Sequence, residues 1–346
     1  MEALDNKCPA CCAKIDFNPA NQMWDCRYCG SKFTLEQMQQ YNNASSVEAN
    51  SIEQENGSQE IDIYCCNNCG AEIMADVTTT ATFCVYCGST AILKEKINEG
   101  RAPDYIIPFK NVKDDAVAAF KKIVKSKPLA PRCFKDAKII EKITGVYIPF
   151  WAYDLTVYGP IEFLCTDVER WSEKGGSYKK MSKYEVKKSG KFEFNKVLAD
   201  ASSRFSNDLM DSLEPFDYTQ LTKYNHAYLS GFLAEKYDVD ENTGLDRVKD
   251  KTFNTAVGLL LNSIRHQKKE IVNNQMTLEK KNTYYIMLPV WMLNIKYKDK
   301  NYTFAMNGQT GKIIGDIPIG IKETIIWSII IFIILFVVAF LGLKYL

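Results

Sequence analysis

Eight of the twelve cysteines in this 346-residue chain fall in C-x-x-C pairs, the arrangement that grips a metal ion. The first set is Cys8 and Cys11, then fourteen residues, then Cys26 and Cys29. The second is Cys66 and Cys69, then fourteen residues, then Cys84 and Cys87, so every ligand lies 58 positions after its counterpart. Two matches to one spacing mark an internal duplication, and both come close to the spacing of four-cysteine zinc sites. A C-x-x-C on a tight turn lets two thiolates hold an ion from one side while turn amides stabilise the sulfur charge. The position after each pair needs a strained backbone that suits glycine. Gly30, Gly70 and Gly88 stand there in three turns, and Cys12 in the first.

A fourteen-residue interval suits a hairpin that returns the second pair to complete a tetrahedron with Zn–S of about 2.3 Å. Four protein ligands leave no open coordination position, so the reading is two structural zinc ions. Segments this small bury almost no apolar core, and metal binding should supply most of their folding free energy. An iron–sulfur cluster or a redox-active pair are the competing readings. Cys12 and Cys65 each adjoin a ligand and could replace it, whereas Cys133 and Cys165 read as buried thiols.

The elements that must carry these residues follow from composition. Residues 1–38 and 61–99 read as two small zinc ribbons of β-hairpin and knuckle. Residues 39–60, QQYNNASSVEANSIEQENGSQE, are polar and read as a flexible linker that lets the ribbons move independently. Residues 1–99 hold six basic and fourteen acidic side chains, a net −8, and the remainder is +9. The ribbons resemble those of transcription factor IIB and RNA polymerase subunits, but nucleic-acid affinity rests on cationic side chains. An acidic ribbon region makes nucleic acid an unlikely partner. The N-terminus, MEALDNKCPA, has neither the basic nor the apolar region of a signal peptide, so the cysteines are expected in a reducing compartment.

At the other end, residues 324–343 (TIIWSIIIFIILFVVAFLGL) are uncharged. Twenty helical residues span about 30 Å, the thickness of a bilayer core. Trp327 and Tyr345 sit near its ends as interfacial aromatics, and Lys322 and Lys344 bracket it. The expectation is a single-pass, tail-anchored cell-membrane protein with its N-terminal region cytoplasmic.

Residues 100–320 read as an α+β, mainly antiparallel domain. Helices are predicted over Asp114–Lys127, within Ser202–Leu213, and over Asn242–Arg265 with Val248, Phe253, Ala256, Leu259 and Leu260 buried. Strands are predicted at Tyr105–Phe109, Val146–Tyr158, Pro160–Thr166, Tyr184–Phe194, Ile271–Leu278, Tyr284–Lys298 and Tyr302–Met306. Asn307-Gly308 should turn the last of these into a hairpin. The phrases Tyr147–Trp151 and Met287–Trp291, 140 positions apart, suggest a second duplication with Trp151 and Trp291 in the core. Arg170–Lys196 carries nine basic residues around a hairpin tip at Gly175-Gly176. It could meet anionic lipid headgroups, dock the acidic ribbon region, or simply be a solvated edge.

No enzyme pattern stands out. The two histidines, His226 and His266, lie in no metal or nucleophile motif, and no nucleophile elbow, Walker A loop or dinucleotide fingerprint occurs. Gly308-x-x-Gly311-Lys312 reads as a hairpin turn. A pocket lined by Asp200, Asp208, Asp211, Glu214 and Asp217 would be needed to support an enzyme in 100–320, and no catalytic residue is assigned.

The ribbons together with IIPF (106–109), GVYIPFW (145–151), LMDSLEP (209–215), YLSGFLAEKYDVD (228–240), LPVW (288–291) and MNGQTGKIIGD (306–316) resemble the zinc-ribbon membrane proteins common in Firmicutes. Cys12, in place of the knuckle glycine, departs from that pattern. The resemblance implies a scaffold or adaptor working with flotillin-like (SPFH) or phage-shock-A-like membrane proteins in a membrane-stress or membrane-organising assembly. A membrane-tethered regulator that binds nucleic acid or RNA polymerase is the alternative, and an enzyme with an unrecognised site is the second.

Overall fold

Among the described residues three strands run far longer than average: Thr144–Glu173 and Thr277–Tyr297 each bury nine consecutive residues, whereas Gly176–Asp200 alternates between exposed and partly buried positions along much of its length. The computed structural model describes residues 7–47, 62–66, 72–75, 92–96, 101–173 and 175–345. In chain order the elements are β1 (Ile15–Asn18), β2 (Met23–Cys26), β3 (Lys32–Phe33), α1 (Leu35–Val47), β4 (Asp62–Cys66), β5 (Glu72–Ala75), β6 (Ile92–Lys96) and β7 (Tyr105–Ile106). Then come α2 (Lys113–Ser126), α3 (Ala137–Ile140), β8 (Thr144–Glu173), β9 (Gly176–Asp200), α4 (Asn207–Leu213), β10 (Thr222–Lys223) and β11 (Leu233–Glu235). The chain finishes with α5 (Glu241–Asn262), β12 (Lys268–Asn274), β13 (Thr277–Tyr297), β14 (Lys300–Asn307), β15 (Ile313–Ile314) and α6 (Ile321–Tyr345).

The chain divides into two compact units: Met1–Pro149 with Arg204–Lys236 and Met287–Leu346, and Phe150–Ser203 with Tyr237–Ile286. Residues 100–320 therefore contribute to both. In the first unit, β1, β2 and β3 form a small antiparallel sheet. β4 pairs antiparallel with β5 and β6, and β5 continues into β11, which runs parallel to β8 at Leu233–Val146. β13 and β14 form a hairpin from Val290–Asn307 to Tyr297–Lys300. α2 lies against it because Ala116, Phe120 and Val124 recur every fourth residue, and the Phe120 ring meets Phe304 at 4.9 Å. The Asn307 turn forms: its N–H donates to the Lys312 carbonyl at 2.8 Å. The fully buried Asn307 amide donates to the Leu213 and Pro215 carbonyls and accepts from the Gln309 and Thr310 N–H groups.

The first turn of α6 is held by the same unit. Gly320 N–H donates to the Leu129 carbonyl at 2.9 Å, and the Glu323 carboxylate accepts from Arg132 N–H at 3.2 Å. From Ile321 to Leu341 no residue is buried within the protein, and the helix is long and apolar enough to cross a membrane.

In the second unit β8 and β9 form one hairpin, in register from Phe150–Asp200 out to Glu173–Gly176. A bulge near its base places Lys196 at φ +54°, with its N–H held by the Asp154 carboxylate at 3.0 Å. β12 adds to β8 from Thr166 to Ile161. α5 starts at an Asp240 cap that accepts from the Asn242 and Thr243 N–H groups. Its buried stripe is Gly244, Val248, Thr252, Ala256 and Leu260, which corrects the expected one: Phe253 is only partly buried and Leu259 is 52% exposed. The helix sits too close to the strands for large side chains, since a Cβ on Gly244 would lie 2.5 Å from the Tyr153 hydroxyl.

One further expectation differs. Residues 39–47, read as linker, continue α1 because Thr34 and Gln37 cap it reciprocally; 48–60 lie outside the described residues. The helix expected within Ser202–Leu213 forms there as α4, from Asn207 behind a Ser206 cap.

Candidate metal centre

The two turns that carry Cys8–Cys11 and Cys26–Cys29 are built alike. Cys12 N–H donates to the Cys8 carbonyl at 2.8 Å, and Gly30 N–H to the Cys26 carbonyl at 2.9 Å. Cys8 and Cys26 N–H close the far side onto Ala13 and Ser31. Both turns need a left-handed residue after the second cysteine, which is Gly30 at φ +75° and Cys12 at φ +58°. The β1–β2 hairpin pairs Ile15 with Cys26 and brings the turns face to face.

The four sulfurs of Cys8, Cys11, Cys26 and Cys29 lie within 4.8 Å of one another, and the pairs Cys8–Cys29 and Cys11–Cys26 stand at 3.5 Å. A tetrahedron with metal–sulfur bonds of about 2.3 Å has edges of about 3.8 Å, so the cluster could hold a metal ion. Cys12 is exposed and outside the cluster, which removes it as a substitute ligand there.

Ionisation within the cluster is divided. Hydrogen bonding to the Ser31 side chain and backbone lowers the Cys29 thiol to about 6. The Ala13 backbone favours the Cys11 thiolate, but burial and the neighbouring Cys29, Cys26 and Cys8 thiols outweigh it and push Cys11 up to about 12. One thiolate forms readily and its charge opposes the rest, so a divalent cation entering here must displace protons.

The cysteine module is not a free head. Trp24 Nε1 donates to the Ala227 carbonyl at 2.9 Å, Phe17 N–H to the Ser230 carbonyl at 3.2 Å, and Gln22 Nε2 to the Phe109 carbonyl at 2.9 Å. Phe17 and Trp24 each meet the Tyr228 ring at 5.2 Å. Phe232 stacks flat on Phe109 at 4.2 Å, and Phe109 in turn meets Tyr147 and Trp291. The phrases IIPF, GVYIPFW, YLSGF and LPVW, scattered in sequence, thus meet in one aromatic core under the module. This corrects the expectation of independently moving ribbons: β1–β2 docks on the first unit, and β5, from the second cysteine segment, is hydrogen-bonded to β11 of that unit.

Compared with known proteins, no family model and no solved structure matches this chain. The uncharacterized protein YdjG of Bacillus subtilis (strain 168) is 33% identical over 238 residues, covering 68% of this chain and 70% of that protein. The chain belongs to the YdjG family.

In this YdjG-family chain the remaining candidates are dispersed. Cys69, Cys84 and Cys87 lie outside the described residues, and Cys66 is described only as the last backbone position of β4. Cys165 is buried among Ile161, Phe163, Leu260 and Ile264. Asp200 pairs with Arg247 in the second unit, whereas Asp208, Asp211, Glu214 and Asp217 belong to the first. Asp217 accepts from Thr219 and Gln220, and those hydrogen bonds hold its carboxyl below the usual range. Of the five carboxylates only Asp208 lines the cleft of about 600 Å³ beside Arg204, Ser212, Tyr302, Thr303 and Asp316. The residues that position the metal turns, Phe17, Trp24, Tyr228 and Phe232, were not singled out from sequence. Their signal was the YLSGF phrase, whose partner lies some 200 positions away.

Proposed function

We propose that this YdjG-family protein is a zinc-stabilised scaffold anchored to the cell membrane by α6 and facing the cytoplasm. The observation that carries this reading is the four-cysteine module seated on the aromatic core of the unit that also holds the first turn of α6. Zinc is the ion because four sulfur donors close a tetrahedron and leave no position for substrate. Cys8, Cys11, Cys26 and Cys29 hold one zinc, and Cys66, Cys69, Cys84 and Cys87, at the same spacing, hold the second.

The partners are membrane-associated proteins of the flotillin-like or phage-shock-A-like kind, in line with the resemblance to Firmicutes zinc-ribbon membrane proteins. The −8 charge of residues 1–99 supports a protein partner over nucleic acid. The two units descend from one duplicated hairpin-and-helix motif. Trp291 Nε1 donates to the Asn111 carbonyl one residue before the cap of α2, and Trp151 Nε1 to the Val239 carbonyl one residue before the cap of α5.

The test is zinc per chain in protein purified from membranes without chelator, combined with alkaline carbonate extraction. Two zinc ions are expected in the wild type and one in Cys26→Ser, with release from membranes only on truncation before Ile321. A metal-free wild type, or full-length chain in the carbonate supernatant, overturns the reading. Crosslinking that recovers RNA polymerase in place of membrane proteins overturns the scaffold role.

A further inference from the structure

Beyond Val168, whose N–H donates to the Gln267 side chain at 3.1 Å, the outer end of the β8–β9 hairpin pairs with no third strand among the described residues. β12 reaches only to Thr166, and the core under α5 extends to Cys165, yet the β8–β9 register continues for seven more pairs, to Glu173–Gly176. A bare two-stranded ribbon is marginally stable in water, so this end gains from something to lie against.

Strand alternation sorts its side chains onto two faces. On one face Trp171 lies opposite Tyr178, the rings stacked at 5.8 Å and 18°, with 46% and 51% of their surfaces exposed. On the other, Arg170 faces Lys179, Val168 faces the 58% exposed Met181, and Lys183 follows. Among the described residues Arg170, Lys179 and Lys183 have no carboxylate partner, whereas Lys180 is paired with Glu169 at 3.7 Å. Exposed amphipathic rings on one face of the tip and unpaired cations on the other fit end-on entry of the tip into the headgroup layer of a bilayer. Trp and Tyr settle at that depth, and long basic side chains lay their stems on apolar surface while their heads reach phosphate.

We propose that residues 168–173 and 175–183 form a second membrane contact, which docks the β8–β9 tip on anionic phospholipid headgroups. The proposal rests on the reading that α6 places the chain at a bilayer. Lipid fits better than a nucleic-acid strand. The two rings stack on each other rather than standing apart as platforms for successive bases, and Val168 and Met181 interrupt the cations with apolar surface.

Full-length protein in nanodiscs with brominated acyl chains tests both readings. Emission lost on Trp171→Phe reports the tip, and emission lost on Trp327→Phe reports α6. Both components should be quenched, the tip about twofold more with phosphatidylglycerol present than in phosphatidylcholine alone, and Lys179→Glu with Lys183→Glu should abolish that difference. Quenching of the Trp327 component alone overturns the tip contact and leaves the anchor standing. Quenching of neither overturns the anchor, and the tip contact with it. Tip quenching that ignores lipid charge overturns the cationic docking. Tight binding of labelled oligothymidylate that Trp171→Phe weakens overturns the lipid reading in favour of single-stranded nucleic acid.

Discussion

Cys12 does at the scale of one residue what a glycine does in the sister turn. It occupies the left-handed region at φ +58° while its thiol is exposed and away from the sulfur cluster. A non-glycine side chain held there costs about 1 kcal/mol or more, part of which glycine gives back through unfolded-chain entropy. Cys12→Gly is therefore expected to stabilise the protein by about 0.5–1 kcal/mol and leave metal content unchanged, as thermal melting and metal analysis would show. A loss of metal would make Cys12 a ligand. The C-x-x-C spacing identified Cys8, Cys11, Cys26 and Cys29 as a cluster that could hold a metal ion because each pair sits on one tight turn. Choosing between Cys11 and Cys12 needed the backbone, since sequence proximity does not tell which thiol points inward.

At the scale of the element, α5 shows how close packing overrides apolar size. The large residues Phe253 and Leu259 suggested one stripe, but the helix approaches the strands along Gly244, Val248, Thr252, Ala256 and Leu260. The Tyr153 hydroxyl donates to the Glu241 carbonyl at 2.7 Å, an approach that a side chain at 244 would block. Neighbouring leucines then behave differently. Leu260→Ala should cost about 3 kcal/mol, because Leu260 packs on Ile161, Phe163 and Ile264. Leu259→Ala should stay within about 0.5 kcal/mol. Denaturant unfolding of the two variants decides it, and equal losses would restore the expected stripe.

At the scale of the whole molecule, the four-cysteine cluster that could hold a metal ion is tied by hydrogen bonds and ring contacts to the fold of the first unit. Phe17 and Trp24 lie buried against Tyr228, Phe17 also meets Phe232, and the cysteine turns flank the strands β1 and β2 that carry them. Stripping the metal should therefore loosen residues 226–232 as well as the cysteine segment. Hydrogen exchange before and after chelation is expected to show faster amide exchange at Ser230 through Leu233, and an unchanged rate there would mean that the module and its seat are independent.

Sequence by itself determined the features whose cause is local: the spacing of thiols on tight turns, the Asn307 hairpin, and an uncharged helix as long as a bilayer core is thick. It also marked the aromatic phrases without saying what they were for. Tertiary structure alone decided that Trp24 reaches Ala227, that Phe109 stacks on Phe232, and that one stretch of sequence serves two units. Those pairings join residues far apart along the chain, and hydrophobic contact is non-directional, so an apolar ring read in sequence announces burial but never its partner.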